Sequence, residues 1–420
     1  MKMRILSGVT TMKTKKLLSA CLLIISSVFM LTSCLERVEL NKIGVVTGFG
    51  INKTEDGYLV TAQILNPAAI AGETQNALPV YTLTGEGKTI QDAVSRVGQV
   101  MSSGFFLSHL NVIVIDESFA EDGFAPLLNF ALRHSEIRPD ISIIVAKDNC
   151  ANDVLNVITA LDRIPAAQLN VSTMLSSHTG RLTNYNLYDV VDMVNGDSIN
   201  VVLNAVSIHR EEGHVDESVE RQDGTSGQTS QNGSTIDNIL DITNPVQLRI
   251  EHLAVFKTDK LIGFLDANEA QLYNIVMGES KRYVLITRIE EDYYTSARVT
   301  KVKSKITTDL ENNEATIKLN LDAMILENTY PIDFTNEENL TAISQYLKAQ
   351  FETDINDFVH KVQTELESDI FGIGGKAYYQ EHKLWKEKEG YWSELFPEIT
   401  INIEVELNID SVGEIGNVTL

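Results

Sequence analysis

Ala315-Thr-Ile-Lys-Leu-Asn-Leu-Asp-Ala-Met-Ile-Leu326 alternates apolar and polar side chains with one interruption at Met324-Ile325-Leu326. Successive Cβ atoms of a strand point to opposite faces, so this period of two predicts a strand with one buried face and one wet face. Residues 282–290 and 293–308 carry the same pattern, and three such segments joined by short polar turns read as an antiparallel meander. Downstream, Leu340, Ile343, Leu347, Phe351, Ile355, Phe358, Val359, Val362, Leu366 and Ile370 recur by threes and fours, the spacing of one helical face. Residues 339–370 are therefore predicted as one amphipathic helix, about 30 residues and roughly 45 Å long, packed on the sheet of its own domain. A shorter helix near 377–394 carries Trp385 and Trp392, and a last strand follows at 398–409. Residues 281–420 are assigned to a C-terminal α+β domain.

Upstream, residues 42–52 and 57–65 read as a hairpin about the polar turn 53–56, with a further strand at 78–84. Thr89 is placed to cap a helix with Asp92 facing back, and Ile90, Ala93, Val94 and Val97 follow at helical spacing. A buried strand at 111–115, a helix at about 121–134, a strand at 141–146 and a helix near 150–160 alternate after it. These segments form an N-terminal α+β domain, 34–195. A strand at 199–208, a hairpin from 246–256 and 261–265, and a helix starting at Asp266 or Asn268 make a middle domain, 196–280. The stretch Asp223-Gly-Thr-Ser-Gly-Gln-Thr-Ser-Gln-Asn-Gly-Ser234 has nothing apolar to bury, so 211–244 is expected to be a flexible loop. The fold class is multidomain α+β, with mixed and mostly antiparallel sheets each covered by helices.

At 420 residues the chain is long enough for two or three domains. Its 34 basic and 58 acidic residues leave a formal charge of −24, and such a surface repels nucleic-acid phosphates. Lys13, Lys15 and Lys16 precede an apolar run at 17–31, the layout of a signal peptide. As a helix the run reaches only about 22 Å, short of the ~30 Å hydrocarbon core, so a permanent transmembrane span is the weaker reading. Met12 opens a more compact version of the same signal. Leu31-Thr32-Ser33-Cys34 looks like a bacterial lipobox, which makes residues 1–33 a lipoprotein signal peptide and Cys34 the acylated first residue of the mature chain. Two or three acyl chains hold a protein on a bilayer far longer than one. Cys21 departs with the signal, so Cys150 is left alone and no intramolecular disulfide is available. Cys150 follows a strand at a helix start, where a small buried filler is expected rather than a reactive thiol.

A search for catalytic chemistry finds none. The eight histidines include no pair at the i, i+4 spacing of a helical zinc site, and no phosphate loop or Gly-x-Ser-x-Gly elbow is present. Gly48-Phe-Gly50 lacks the third glycine of a dinucleotide fingerprint, and Gly372-Ile-Gly-Gly375 falls between two helices, so both are read as turn chemistry. Glu290-Glu291 and Glu337-Glu338 sit in polar turns without the burial that separates acid from base. His109 is read as a satisfied structural histidine. No cofactor, metal site or catalytic residue is expected.

Several strings in order resemble one family. They are Leu83-Thr-Gly-Glu-Gly-Lys-Thr-Ile90, Ser108-His-Leu-Asn-Val-Ile-Val-Ile115, Ala131-Leu-Arg-His-Ser-Glu-Ile-Arg138, Lys260-Leu-Ile-Gly-Phe-Leu265 and Asp369-Ile-Phe-Gly-Ile-Gly374, the last followed by Trp385, Trp392 and Phe396-Pro397. From lipobox to last strand the chain resembles the Ger(x)C family, the lipoprotein C subunits of spore germinant receptors in endospore-forming bacteria. Leu35-Glu-Arg37, where a Trp is frequent in that family, the long 211–244 insertion and Gly374-Gly375 depart from its pattern. The resemblance implies a non-catalytic subunit, tethered by Cys34 to the outer face of the inner spore membrane. It also implies polytopic A and B subunits as partners and a role in the response to nutrients, and leaves open whether this chain itself binds a small-molecule germinant. The alternative is a lipid-tethered solute-binding protein of an importer, which needs two lobes around a cleft; an extracytoplasmic hydrolase suffers from the missing nucleophile.

Overall fold

The computed structural model describes residues 43–72, 77–101, 104–158, 162–176, 180–196, 198–210, 246–280, 282–331 and 336–411, with Ser19. Apart from Ser19, the expected signal peptide, with Cys34 and the 211–244 loop, lies outside these residues. Thirteen strands occur among the described residues, in a nine-stranded and a four-stranded sheet.

The first sheet begins with the expected hairpin, β1 (Ile43–Thr54) and β2 (Gly57–Leu65), followed by a one-turn helix α1 (Pro67–Ile70) and β3 (Val80–Gly87). Helix α2 (Ile90–Val100) starts as read, Thr89 Oγ1 accepting the Asp92 N–H at 3.1 Å. The short β4 (Gly104–Phe106) pairs with β1, and β5 (Val112–Asp116) lies parallel to β1. Val112 and Val114 of β5 enter the core on one face, Ile113 and Ile115 that on the other. This double burial is why the strand reads as a continuous apolar run.

The helix expected at 121–134 is two helices, α3 (Glu117–Asp122) and α4 (Ala125–Arg133). Gly123 at φ +113° ends the first, and Asp259, 134 residues away in sequence, caps the second by accepting the Ala125 N–H at 3.1 Å. A distant turn thus set a break that local spacing did not show. Strand β6 (Ser142–Ala146) is as expected, but α5 (Ala151–Asn156) is shorter than the predicted helix, and α6 (Pro165–Ser176) and α7 (Leu187–Asn195) were not anticipated. The weakly amphipathic α6 is buried through small residues such as Ala166, which leave little periodic signal.

Strands β7 (Val202–Arg210), β8 (Val246–Lys257) and β9 (Lys260–Leu265) continue the same sheet, β7 pairing parallel with β6. The sheet order is β3-β2-β1-β5-β6-β7-β8-β9, so its hydrogen bonds run across the expected 195/196 boundary. Helix α8 (Ala267–Val276) opens with a capping box between Asp266 and Glu269.

The C-terminal meander is as read: β10 (Val284–Glu290), β11 (Tyr293–Asp309) and β12 (Glu314–Asn328) are antiparallel. Helix α9 (Glu337–Thr364) buries Ile343, Leu347, Phe351, Ile355, Phe358, Val359 and Val362 in the core beneath that sheet. Packing on its own domain, the reading made from the sequence, is what the helix does. The expected helix near 377–394 is broken into α10 (Ile373–Gln380), α11 (His382–Lys388) and α12 (Trp392–Leu395). Strand β13 (Thr400–Ser411) then pairs parallel with β12. Val202, Leu253, Val255 and Leu265 of the first sheet share one core with these C-terminal elements.

Candidate functional site

Of the residues singled out in the sequence, Cys34 lies outside the described part, and the others take up unexpected positions. Cys150 is exposed rather than a buried filler, and partial desolvation, helped by Asp153 and Asp116, raises its thiol pKa. A raised pKa disfavours the thiolate, so the reactive-thiol reading gains nothing from the exposure. His109, read as a satisfied structural histidine, is exposed too, its ring tilted against Phe106 with centroids 5.9 Å apart. Gly48 and Gly50 serve no turn: they lie within β1, where added Cβ atoms would stand 2.8 Å from Ala166 Cβ and 3.1 Å from the Ala151 backbone. Their missing side chains let α5 and α6 rest directly on the sheet.

The Asp369-Ile-Phe-Gly-Ile-Gly374 string builds a joint between the two sheets. Ser368 Oγ donates to the Phe256 carbonyl of β8 at 2.8 Å, and the Asn200 N–H donates to the Asp369 carbonyl at 2.8 Å. Gly372 at φ +70° turns the chain into α10, a conformation that costs other residues about 1 kcal/mol or more. The Asp369 side chain then serves the new helix: Oδ1 accepts the Ile373 N–H at 3.0 Å, and Oδ2 accepts the Gly374 N–H at 2.7 Å and the Trp392 indole N–H at 3.0 Å. The residue is 3% exposed, and burial pushes its carboxyl above the usual carboxylate range against the pull of these donors. Gly374 leaves room for the tryptophan pair, since a Cβ there would come within 2.7 Å of both Trp385 and Trp392 rings. The two rings meet edge to face at 5.2 Å.

Beside the joint is a cavity of about 320 Å³, with Asn200, Lys257, Glu367 and Trp392 among its walls. Thr258 at φ +60° and Glu367 at φ +46° are strained there, and Lys257 Nζ stands 3.8 Å from Glu367. Every oxygen of Asp369 is engaged in holding backbone or indole, which is an architectural and not a proton-transferring use. Among the described residues no group of three or more His, Cys, Asp or Glu could hold a metal ion, and no helix is long and apolar enough to cross a membrane. The joint was legible as a motif, but the role of Asp369 was not, because its partners Trp392 and Asn200 are remote in sequence.

Comparison with known proteins covers both sheets. Residues 36–208 match a family model described as spore germination protein N-terminal domain, and residues 251–413 one described as spore germination B3/GerAC like, C-terminal. Spore germination protein KC of Bacillus subtilis (strain 168) is 24% identical over 416 residues, covering 95% of this chain and 96% of that protein. Spore germination protein B3 of the same organism is 22% identical over 397 residues, covering 92% and 96%. The crystal structure of the GerBC protein aligns with a TM-score of 0.50 at 18% identity, covering 89% of this chain and all of that one.

Proposed function

The chain belongs to the spore germination protein family of the B3/GerAC type, and from that premise we propose that it is the lipid-anchored C subunit of a spore germinant receptor. The observation that carries this reading is the ordered match of both domain models, over 36–208 and 251–413, which between them span the two sheets and the joint at Asp369. The signal segment and Leu31-Thr32-Ser33-Cys34 support attachment through acyl chains on Cys34, on the outer face of the inner spore membrane. Polytopic A and B subunits are the proposed partners. Tethering confines the body to the bilayer plane, where a weak contact with them works at high effective concentration.

The proposed role is non-catalytic: a rigid body that positions or couples the membrane subunits during the nutrient response. A bilobal importer protein closes two lobes about a hinge, whereas strands β1–β9 here make one continuous sheet. Deleting the gene, in a strain also lacking related C subunits, tests the role. Such spores should form normally and germinate with a non-nutrient trigger, yet fail to lose refractility with at least one nutrient that the chain restores. Normal responses to every nutrient in that strain would sink the proposal.

A further inference from the structure

We propose that the groove between α2 and α4 is a binding site for a small organic monoanion, a carboxylate carried on an aromatic or branched aliphatic body. This goes beyond the receptor role and does not depend on it. The two strings singled out in the N-terminal sequence, 83–90 and 131–138, converge on this groove, which has a volume of about 700 Å³. That volume is in the usual range for small-molecule sites. Its apolar walls are Tyr58, Ile90, Pro126 and Phe130, and its charged groups are Lys88 and Arg133.

The charge of the lining decides the ligand class. Acidic residues outnumber basic ones 58 to 34 in the chain, yet no Asp or Glu lines the groove. Neither Lys88 nor Arg133 has an ion-pair partner among the described residues; the Arg133 guanidinium donates only to Asn129 Oδ1, at 2.7 Å, which leaves its remaining N–H groups for an anion. His134, its ring tilted against Phe130 with centroids 5.7 Å apart, adds a buried Nδ1 without a hydrogen-bond partner. A carboxylate thus meets two unpaired cations, while its apolar body meets the Phe130 and Tyr58 rings. A zwitterion is a poorer fit, because the lining offers its ammonium two cations and no carboxylate; Asp92, which accepts the Lys88 backbone N–H at 3.1 Å, lies outside the lining.

Isothermal titration of the full-length protein in detergent tests the assignment with phenylacetate and isovalerate as monoanions, phenylacetamide as the neutral isostere and phenylglycine as the zwitterion. At least one monoanion should bind, with the amide and the zwitterion weaker by about tenfold or more. The double variant Lys88→Gln, Arg133→Gln should lose about tenfold in that affinity while its thermal unfolding stays unchanged. Both residues are exposed, so the fold does not rest on them, and Lys88→Gln alone provides a milder second variant with a smaller loss. The proposal is overturned by any of three results: no heat from either monoanion up to about 10 mM, equal binding of monoanion, amide and zwitterion, or wild-type affinity in both variants.

Discussion

Asp369 shows how one buried carboxylate does structural work at the cost of its own solvation. Three N–H donors converge on it, yet its folded pKa is raised because burial outweighs them. A carboxyl whose folded pKa lies above its unfolded value contributes stability that is full below the unfolded pKa and is lost as pH rises through the folded one. Wild type should therefore lose stability relative to Asp369→Asn as pH is raised from about 4 through the raised pKa. At neutral pH the variant should still be the less stable by about 2–3 kcal/mol, since its amide group turns a donor toward the Ile373, Gly374 or Trp392 N–H. Urea titrations at several pH values measure both effects; parallel stability curves would show that Asp369 keeps an ordinary pKa in the fold.

Glycines decide how closely elements approach one another. In α10, Gly374→Ala would push a methyl group into Trp385 and Trp392, and overpacking of this kind costs about 1–3 kcal/mol. The chain has two tryptophans and both stand at this joint, so fluorescence excited selectively in tryptophan, beyond the absorption of the 13 tyrosines, reports on it alone. Gly374→Ala is expected to shift the emission maximum together with the melting temperature, and an unchanged spectrum would mean that the rings have room to move. In β1, Gly50→Val should cost at least as much, because its Cβ meets the Ala151 backbone at 3.1 Å and backbone yields less than a side chain. Thermal unfolding of the Gly50→Val protein measures that cost, and a melting temperature equal to wild type would contradict it.

For the whole molecule, the core shared by Val202, Leu253, Val255 and Leu265 with the C-terminal elements links the two sheets energetically. Tryptophan fluorescence, which reports on the joint, and far-ultraviolet circular dichroism, which reports on both sheets, should therefore unfold with coincident midpoints. Separate transitions would show that the first sheet stands without the second. At the membrane, Cys34→Ala should move the protein from the membrane fraction to the soluble fraction after cell disruption. Retention of that variant on membranes washed with high salt would overturn the proposed anchoring through Cys34.

The local periodicities were enough to read the hairpin of β1 and β2, the meander of β10 to β12, the long helix α9, the cap at Thr89 and a helix start at Asp266 or Asn268, of which the structure uses Asp266. Each depends on neighbours within a few residues, and one-sided burial writes that dependence into the sequence as a period of two or of three and four. The ordered strings also carried the family resemblance. Tertiary structure alone decided that β7 to β9 extend the first sheet, that Asp259 splits the 117–133 segment into two helices, that Gly48 and Gly50 seat helices, and that Lys88 and Arg133 line one groove whose lining holds no acid. These features join residues tens to more than a hundred positions apart, and no local pattern records which distant surface a residue will meet.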